Sequence, residues 1–169
     1  MGTDRDDTTE GPGEEGDAAA SLHIEAPAEQ LWDMVADVTR MGEWSPECYR
    51  CRWFGREKQP VPGARFVGFN KRGIVRWATP NVVQEAERGK VFSFQVVGSK
   101  TIWGYRFQPE GTGTRVTEFR QLPAKRPLVA RIALVLMGGA ASYDSGVPDN
   151  ISQTLKRLKA AAEETQAAA

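Results

Sequence analysis

Residues that carry most enzyme chemistry are scarce in this chain. It has one histidine, His23, and two cysteines, Cys48 and Cys51. A zinc site needs about four ligands, and one histidine with two cysteines does not supply them. Cys48 and Cys51 have C-x-x-C spacing, but they fall at the start of an expected strand, where positions i and i+3 face opposite ways. A redox pair uses a helix N-terminus to activate its thiol. The pair is therefore read as neither redox-active nor metal-binding, and His23 as an ordinary surface or hydrogen-bonded histidine. No Gly-x-Ser-x-Gly elbow, phosphate loop or dinucleotide fingerprint occurs, which excludes triad and nucleotide chemistry. No cofactor is expected.

Long apolar runs are also missing. The longest, Ile132 to Ala141, has two glycines and is far short of the roughly 20 residues a spanning helix needs. No basic segment followed by an apolar one opens the chain, so the expectation is a cytoplasmic protein without membrane insertion. Net charge is zero, with 22 acids and 22 bases, but unevenly placed. Asp4, Asp6, Asp7, Glu10, Glu14, Glu15 and Asp17 face only Arg5 among the first twenty residues. That segment has no aromatic or β-branched aliphatic side chain to offset its ordering entropy by burial, so residues 1–18 are read as a disordered acidic tail. The bases of the remainder alternate with aromatics instead of gathering on one face, which argues against nucleic-acid binding.

Aromatics are what the chain has. Trp53, Phe66, Trp77, Phe92, Phe94, Trp103, Tyr105, Phe107 and Phe119 lie in short runs separated by turn residues. Alternation at period two gathers such rings on one sheet face. The spacing predicts a strand over 20–25 and a helix over 27–37, which Pro27 opens and which carries Leu31, Met34, Val35 and Val38 as its apolar stripe. A short helical turn follows near 39–43, then six strands: 49–54, 64–71, 74–87 with a possible bend at Pro80, 91–97, 101–108 and 114–122. The short connections make the sheet antiparallel. After Pro123 the pattern becomes helical. An apolar half over 127–141 is expected to be buried on the sheet; 142–148 interrupts it, and Ile151, Leu155 and Leu158 mark a second half. Residues 163–169 are read as a frayed tail.

This order resembles the helix-grip fold, and local segments agree. Ala26-Pro27-Ala28-Glu29-Gln30-Leu31-Trp32 is similar to the opening helix of polyketide cyclase/dehydrase-like proteins of the SRPBCC (START-like) superfamily. The stretches from Asp37 to Glu47, from Pro62 to Asn70 with Trp77, and from Gly113 to Glu118 resemble the segments that follow it there. The resemblance covers residues 19–162. It implies an α+β fold: a curved antiparallel sheet of about seven strands wrapped around a long C-terminal helix, with two short helices after the first strand. The superfamily includes aromatase/cyclases, hormone receptors and lipid-transfer domains, so fold does not choose the activity.

The cavity face follows from parity. Tyr49, Cys51 and Trp53 share one side, with Phe66, Gly68 and Asn70, Trp77 and Thr79, Phe92, Phe94 and Val96, and Trp103, Tyr105 and Phe107. Gly68 and Gly104 are expected to leave room. The expected ligand-binding residues are Trp53, Phe66, Asn70, Trp77, Phe94, Trp103, Tyr105 and Met137. Polar candidates are Asn70, Thr79, Thr117 and Glu118. Glu118 and Phe119 point opposite ways, and parity leaves open which faces inward. An exposed glutamate opposite an arginine is the plainer reading; inside an apolar pocket Glu118, with Tyr105 second, is the candidate acid or base. Three functions stay open: binding a small hydrophobic or aromatic molecule, polyketide cyclase/dehydratase chemistry, or a protein-interaction domain that docks through 128–141. Oligomeric state is not legible.

Overall fold

Short turns dictate the sheet. In the computed structural model, which describes residues 17–167, β1 (Ala18–Ile24) is followed by α1 (Ala28–Ala36), a 3-10 helix (Val38–Glu43) and β2 (Cys48–Phe54). A meander follows: β3 (Arg65–Arg72), β4 (Val75–Glu87), β5 (Val91–Val96), β6 (Ile102–Glu110) and β7 (Gly113–Gln121). Three helices end the chain: α2 (Leu128–Leu136), α3 (Ala140–Ser145) and α4 (Val147–Ala167). The seven strands form one antiparallel sheet in the order β1-β7-β6-β5-β4-β3-β2. The first strand thus pairs with the last, and α1 with the 3-10 helix carries the chain from one sheet edge to the other. Gly113 makes the β1–β7 pairing possible, because a Cβ there would sit 2.3 Å from the Ile24 carbonyl oxygen.

Pro27 sits just ahead of α1 with φ −62°, a backbone angle that its ring fixes. Leu31, Trp32, Met34 and Val35 are buried, and the Trp32 indole N–H donates to the Val91 carbonyl at 2.8 Å, locking the helix to β5. The Asp37 carboxylate accepts from Thr39 N–H at 3.1 Å and starts the 3-10 turn. On α4, Ile151, Leu155, Leu158 and Ala162 are buried at helical spacing, and they face β1 and β7. Ile151, Leu155 and Leu158 each contribute about 1.5–3 kcal/mol. This is the helix-grip architecture expected.

Several details depart from the sequence reading. Asp17 and Ala18, placed there in the acidic tail, belong to the sheet edge: Asp17 N–H donates to the Arg120 carbonyl and Ala18 pairs with Arg120. The rest of that tail, residues 1–16, lies outside the described residues. α4 runs to Ala167, so most of the segment read as frayed is helical. β4 does not bend at Pro80, which pairs with Val67 and offers its carbonyl to Val97 N–H at 2.9 Å; the irregularity lies between Val83 and Glu85. The apolar segment after Pro127 is not buried on the sheet: only Ala130 of α2 is buried, and Leu128, Val129, Ile132, Val135 and Leu136 are exposed. α3 occupies part of the expected interruption. No single helix among the described residues is long and apolar enough to cross a membrane.

Candidate functional site

The register shows which side chains share the concave face. Trp53 pairs with Phe66, Phe66 with Asn81, Asn70 with Trp77, Phe94 with Trp103, Phe92 with Tyr105, and Tyr105 with Glu118. Cross-strand partners lie on one side of a sheet, so these residues share the concave face. At one end the rings fill space by edge contacts: Trp53 on Phe66 at 5.9 Å, Phe66 on Phe94 at 5.1 Å, and Trp32 on Phe92 at 6.3 Å. Such edge-to-face packing is ordinary aromatic core. Trp53 and Phe66 are therefore core residues and do not line the cavity.

Beyond Phe94 the packing opens into a cavity of about 540 Å³, within the range of small-molecule sites. Phe94, Trp103 and Tyr105 form its floor, Asn70, Trp77 and Thr79 one wall, and Ala130, Ala133, Leu134 and Met137 of α2 its cover. Of the eight residues expected to bind ligand, the structure gathers six around this space: Asn70, Trp77, Phe94, Trp103, Tyr105 and Met137. The long helix α4 adds only its first turns, through Asn150, Ile151 and Thr154.

Four expectations about direction change. A register shift between Cys48 and Arg50 turns Tyr49 outward, where Lys71 and Arg76 lie over its ring at 5.9 and 5.7 Å. The same bulge brings Cys48 and Cys51 inward together, although a regular strand would oppose them. Their sulfurs are 3.2 Å apart, and Met41 Sδ is 3.8 Å from Cys51 Sγ. The thiol–thiol hydrogen bond lowers the pKa of Cys48 and raises that of Cys51, with burial raising it further. Among the described residues no group of three or more His, Cys, Asp and Glu side chains is placed to hold a metal. Gly104 faces outward and makes no cavity space: it accommodates the Phe119 ring, whose Cζ would be 2.4 Å from an added Cβ. Thr117 also faces outward and hydrogen-bonds Ser21 at 2.7 Å.

Glu118 therefore faces inward, fully buried, and the exposed reading is overturned. Tyr105 Oη donates to its Oε1 at 3.0 Å, while Oε2 has no hydrogen-bond partner among the described residues. Burial pushes the Glu118 carboxyl up to about 8, although the Tyr105 bond acts to lower it. The acid is thus mainly protonated at neutral pH. Burial and then the Glu118 charge raise the Tyr105 phenol well above its usual range. Asn81, which sequence reading missed, is a second polar group on the cavity wall. Its amide nitrogen donates to the Thr79 carbonyl at 2.8 Å, which can only accept, so the amide oxygen is the atom left without a partner. Asn70 is already satisfied by Thr79 Oγ1 at 3.1 Å. Neither Asn81 nor Glu118 breaks strand alternation; parity alone could have nominated Asn81 two residues beyond Thr79.

Charges close the entrance. Arg120, buried on the inner face, donates to Asp144 at 2.8 Å and to Asp17, and lies over Trp103 at 6.0 Å. Asp144 also accepts from Arg126 at 2.6 Å. Nearby, Tyr143 Oη donates to Glu47 at 3.3 Å, and Arg72 covers the Tyr143 ring at 5.0 Å. Burial raises both the Glu47 carboxyl and the Tyr143 phenol. His23 lies elsewhere, at the sheet edge, between Glu25 at 2.9 Å and Glu110 at 3.0 Å.

No curated protein matches the sequence. Among solved structures, the chain resembles a START superfamily protein from Mycobacterium smegmatis, with 13% identity, a TM-score of 0.67 and coverage of 87% of this chain and 97% of that one. It also resembles the di-domain ARO/CYC StfQ of the steffimycin biosynthetic pathway, with 15% identity and a TM-score of 0.66, covering 88% of this chain and 51% of that one. At such identities these are likenesses of fold. The family model described as polyketide cyclase / dehydrase and lipid transport matches residues 16–163. With nearly its whole length matched, the chain belongs to that family.

Proposed function

We propose that the cavity binds a small hydrophobic or aromatic molecule, polyketide-like or lipid-like, between the sheet and the helical cover. The observation that carries this reading is an aromatic-walled space of about 540 Å³ into which two buried polar residues, Glu118 and Asn81, bring oxygens without protein partners. Buried polar atoms are nearly always paired, so these two oxygens mark where a bound molecule makes its polar contacts. Protonated Glu118, with Oε1 taken by Tyr105, offers an O–H to a carbonyl. Asn81 offers an acceptor to a hydroxyl. A flat molecule with both keto and hydroxyl groups fits that pair better than a fatty acid, because Arg120, the cation two residues along the same face, is already held by Asp17 and Asp144. Trp77 and Trp103 lie in the wall, so titration with polyphenolic ketones, followed by tryptophan quenching, tests the reading. Binding should weaken roughly tenfold in Trp103→Ala, from lost ring contact. Equal affinity for fatty acids and aromatic ketones, or none for either, would sink it.

The Glu118–Tyr105 pair supports a second reading, a cyclase. A carboxyl titrating near 8 is matched to proton exchange at neutral pH. Its ionised form can take a proton from a methylene between two carbonyls; the resulting enolate carbon attacks a ketone of the same chain, and the new alkoxide takes the proton back. Glu118→Gln should then lower turnover about 10²–10⁴-fold with binding retained. Retained turnover would leave the carrier reading alone.

A further inference from the structure

Helix α2 is apolar except for Arg131. At 100° per residue, Ala130, Ala133, Leu134 and Met137 form the arc toward the cavity. Leu128, Ile132 and Val135 face outward, with Val129 and Leu136 between them and the cavity; all five are more than half exposed, Leu136 at 79%. Across the same cavity the β3–β4 turn presents Ile74, 98% exposed, and Val75, which with Arg76 lines the rim. Two separate segments thus place bare aliphatic side chains around one entrance. A helix this apolar is normally buried, and a contiguous apolar patch of this kind marks an interaction surface.

The charges around it identify the partner. Three segments that line the rim, 70–84, 96–101 and 119–143, contain no acidic residue, and the acids beside them, Glu47 and Asp144, are each paired with arginine. The segments carry Lys71 and Arg76 beside Ile74, Lys100 in the β5–β6 turn, and Lys125 and Arg131 around α2, all exposed and without a salt bridge among the described residues. Apolar side chains protruding through a ring of lysine and arginine are the signature of a surface seated at the headgroup level of an anionic bilayer.

We infer that the cavity entrance docks on anionic lipid bilayers, α2 and the Ile74 turn entering the headgroup layer with the basic residues on the phosphates. Nothing crosses the bilayer. Docking stands whether or not the cavity's own ligand is a lipid, and it is read separately from tryptophan quenching.

Sedimentation with vesicles tests it, using phosphatidylcholine alone and with about one-third phosphatidylglycerol. Wild-type chain should bind the anionic vesicles roughly tenfold more tightly or better, with binding falling between about 0.05 and 0.5 M salt. Ile74→Glu and Val135→Glu, both at exposed positions that leave the fold intact by circular dichroism, should each cut binding roughly tenfold. Phe54→Glu, at the far end of β2, should not change it. Equal binding to both vesicle types, or binding undiminished in Ile74→Glu, overturns the inference. So does a dimer, seen by light scattering, that Val135→Glu converts to a monomer while neither form binds vesicles; α2 would then be a self-association surface.

Discussion

Replacing Glu118 by glutamine should remove a specific slope from the pH dependence of stability. The carboxyl's value in the fold, about 8, lies above the ordinary 4.5 because burial disfavours its charge. The folded state therefore holds the proton more tightly than the unfolded chain does. The resulting stabilisation is fully present below pH 4.5 and is lost as pH rises through 8. Each pH unit between the two values costs about 1.4 kcal/mol. Between pH 6 and 9 this comes to about 2.7 kcal/mol for a single group. Glutamine keeps the shape and still accepts from Tyr105 Oη, but it does not ionise. Urea unfolding followed by tryptophan fluorescence, at half-unit steps from pH 6 to 9, gives both curves. Other titrating groups cancel in the difference between wild type and variant. The variant should hold its stability across the range where wild type falls. Parallel curves would mean that Glu118 is solvated or ionised in the fold, and the assignment of its proton would be wrong.

Three further outcomes follow from the geometry. Gly104→Ala should cost about 1–3 kcal/mol through overpacking against Phe119, without changing ligand affinity, since residue 104 faces away from the cavity; a neutral effect in denaturant unfolding would contradict the register. His23 should titrate above 6.5 in a proton NMR series, raised first by its bond to Glu25 and then by Glu110, and Glu25→Gln should move the midpoint down. Leu158→Ala, at a fully buried position of α4, should cost about 2–5 kcal/mol; a loss well under that would show that α4 does not close the core.

Strand alternation made much of the floor legible. Trp77, Phe94, Trp103 and Tyr105 repeat at period two within regular strands, and regular strands keep parity. Where a strand carries an extra residue, parity fails, and nothing in Cys48-Tyr49-Arg50-Cys51 announces the bulge that turns Tyr49 out and both thiols in. Glu118 was undecidable for another reason. It sits between Thr117 and Phe119, and the sequence does not show that Gly104 leaves a slot for the Phe119 ring on the outer face. Arg120 was missed because a charge on an inner face depends on Asp17 and Asp144, carboxylates far along the chain. The α2 segment misled most. A helix this apolar ordinarily lies in a core, and here the core was already filled by α1 and α4.

Asp144 gives the entrance a common tether. It accepts from Arg126, just before α2, and from Arg120 on β7, so the stretch 127–143 is a loop closed at its base by one carboxylate. Opening such a loop means parting charge-assisted bonds at that point rather than unpacking the floor. Residence time and affinity then become separately adjustable. On the proposed binding function, groups deep in the cavity, such as Glu118 and Asn81, would govern how well a molecule is recognised, while Asp144 would govern how often it can leave. In Asp144→Asn, stopped-flow displacement should show the association and dissociation rates rising together, by roughly tenfold, with the equilibrium constant nearly unchanged. A change confined to dissociation would place Asp144 among the contacts and leave the loop untethered by it.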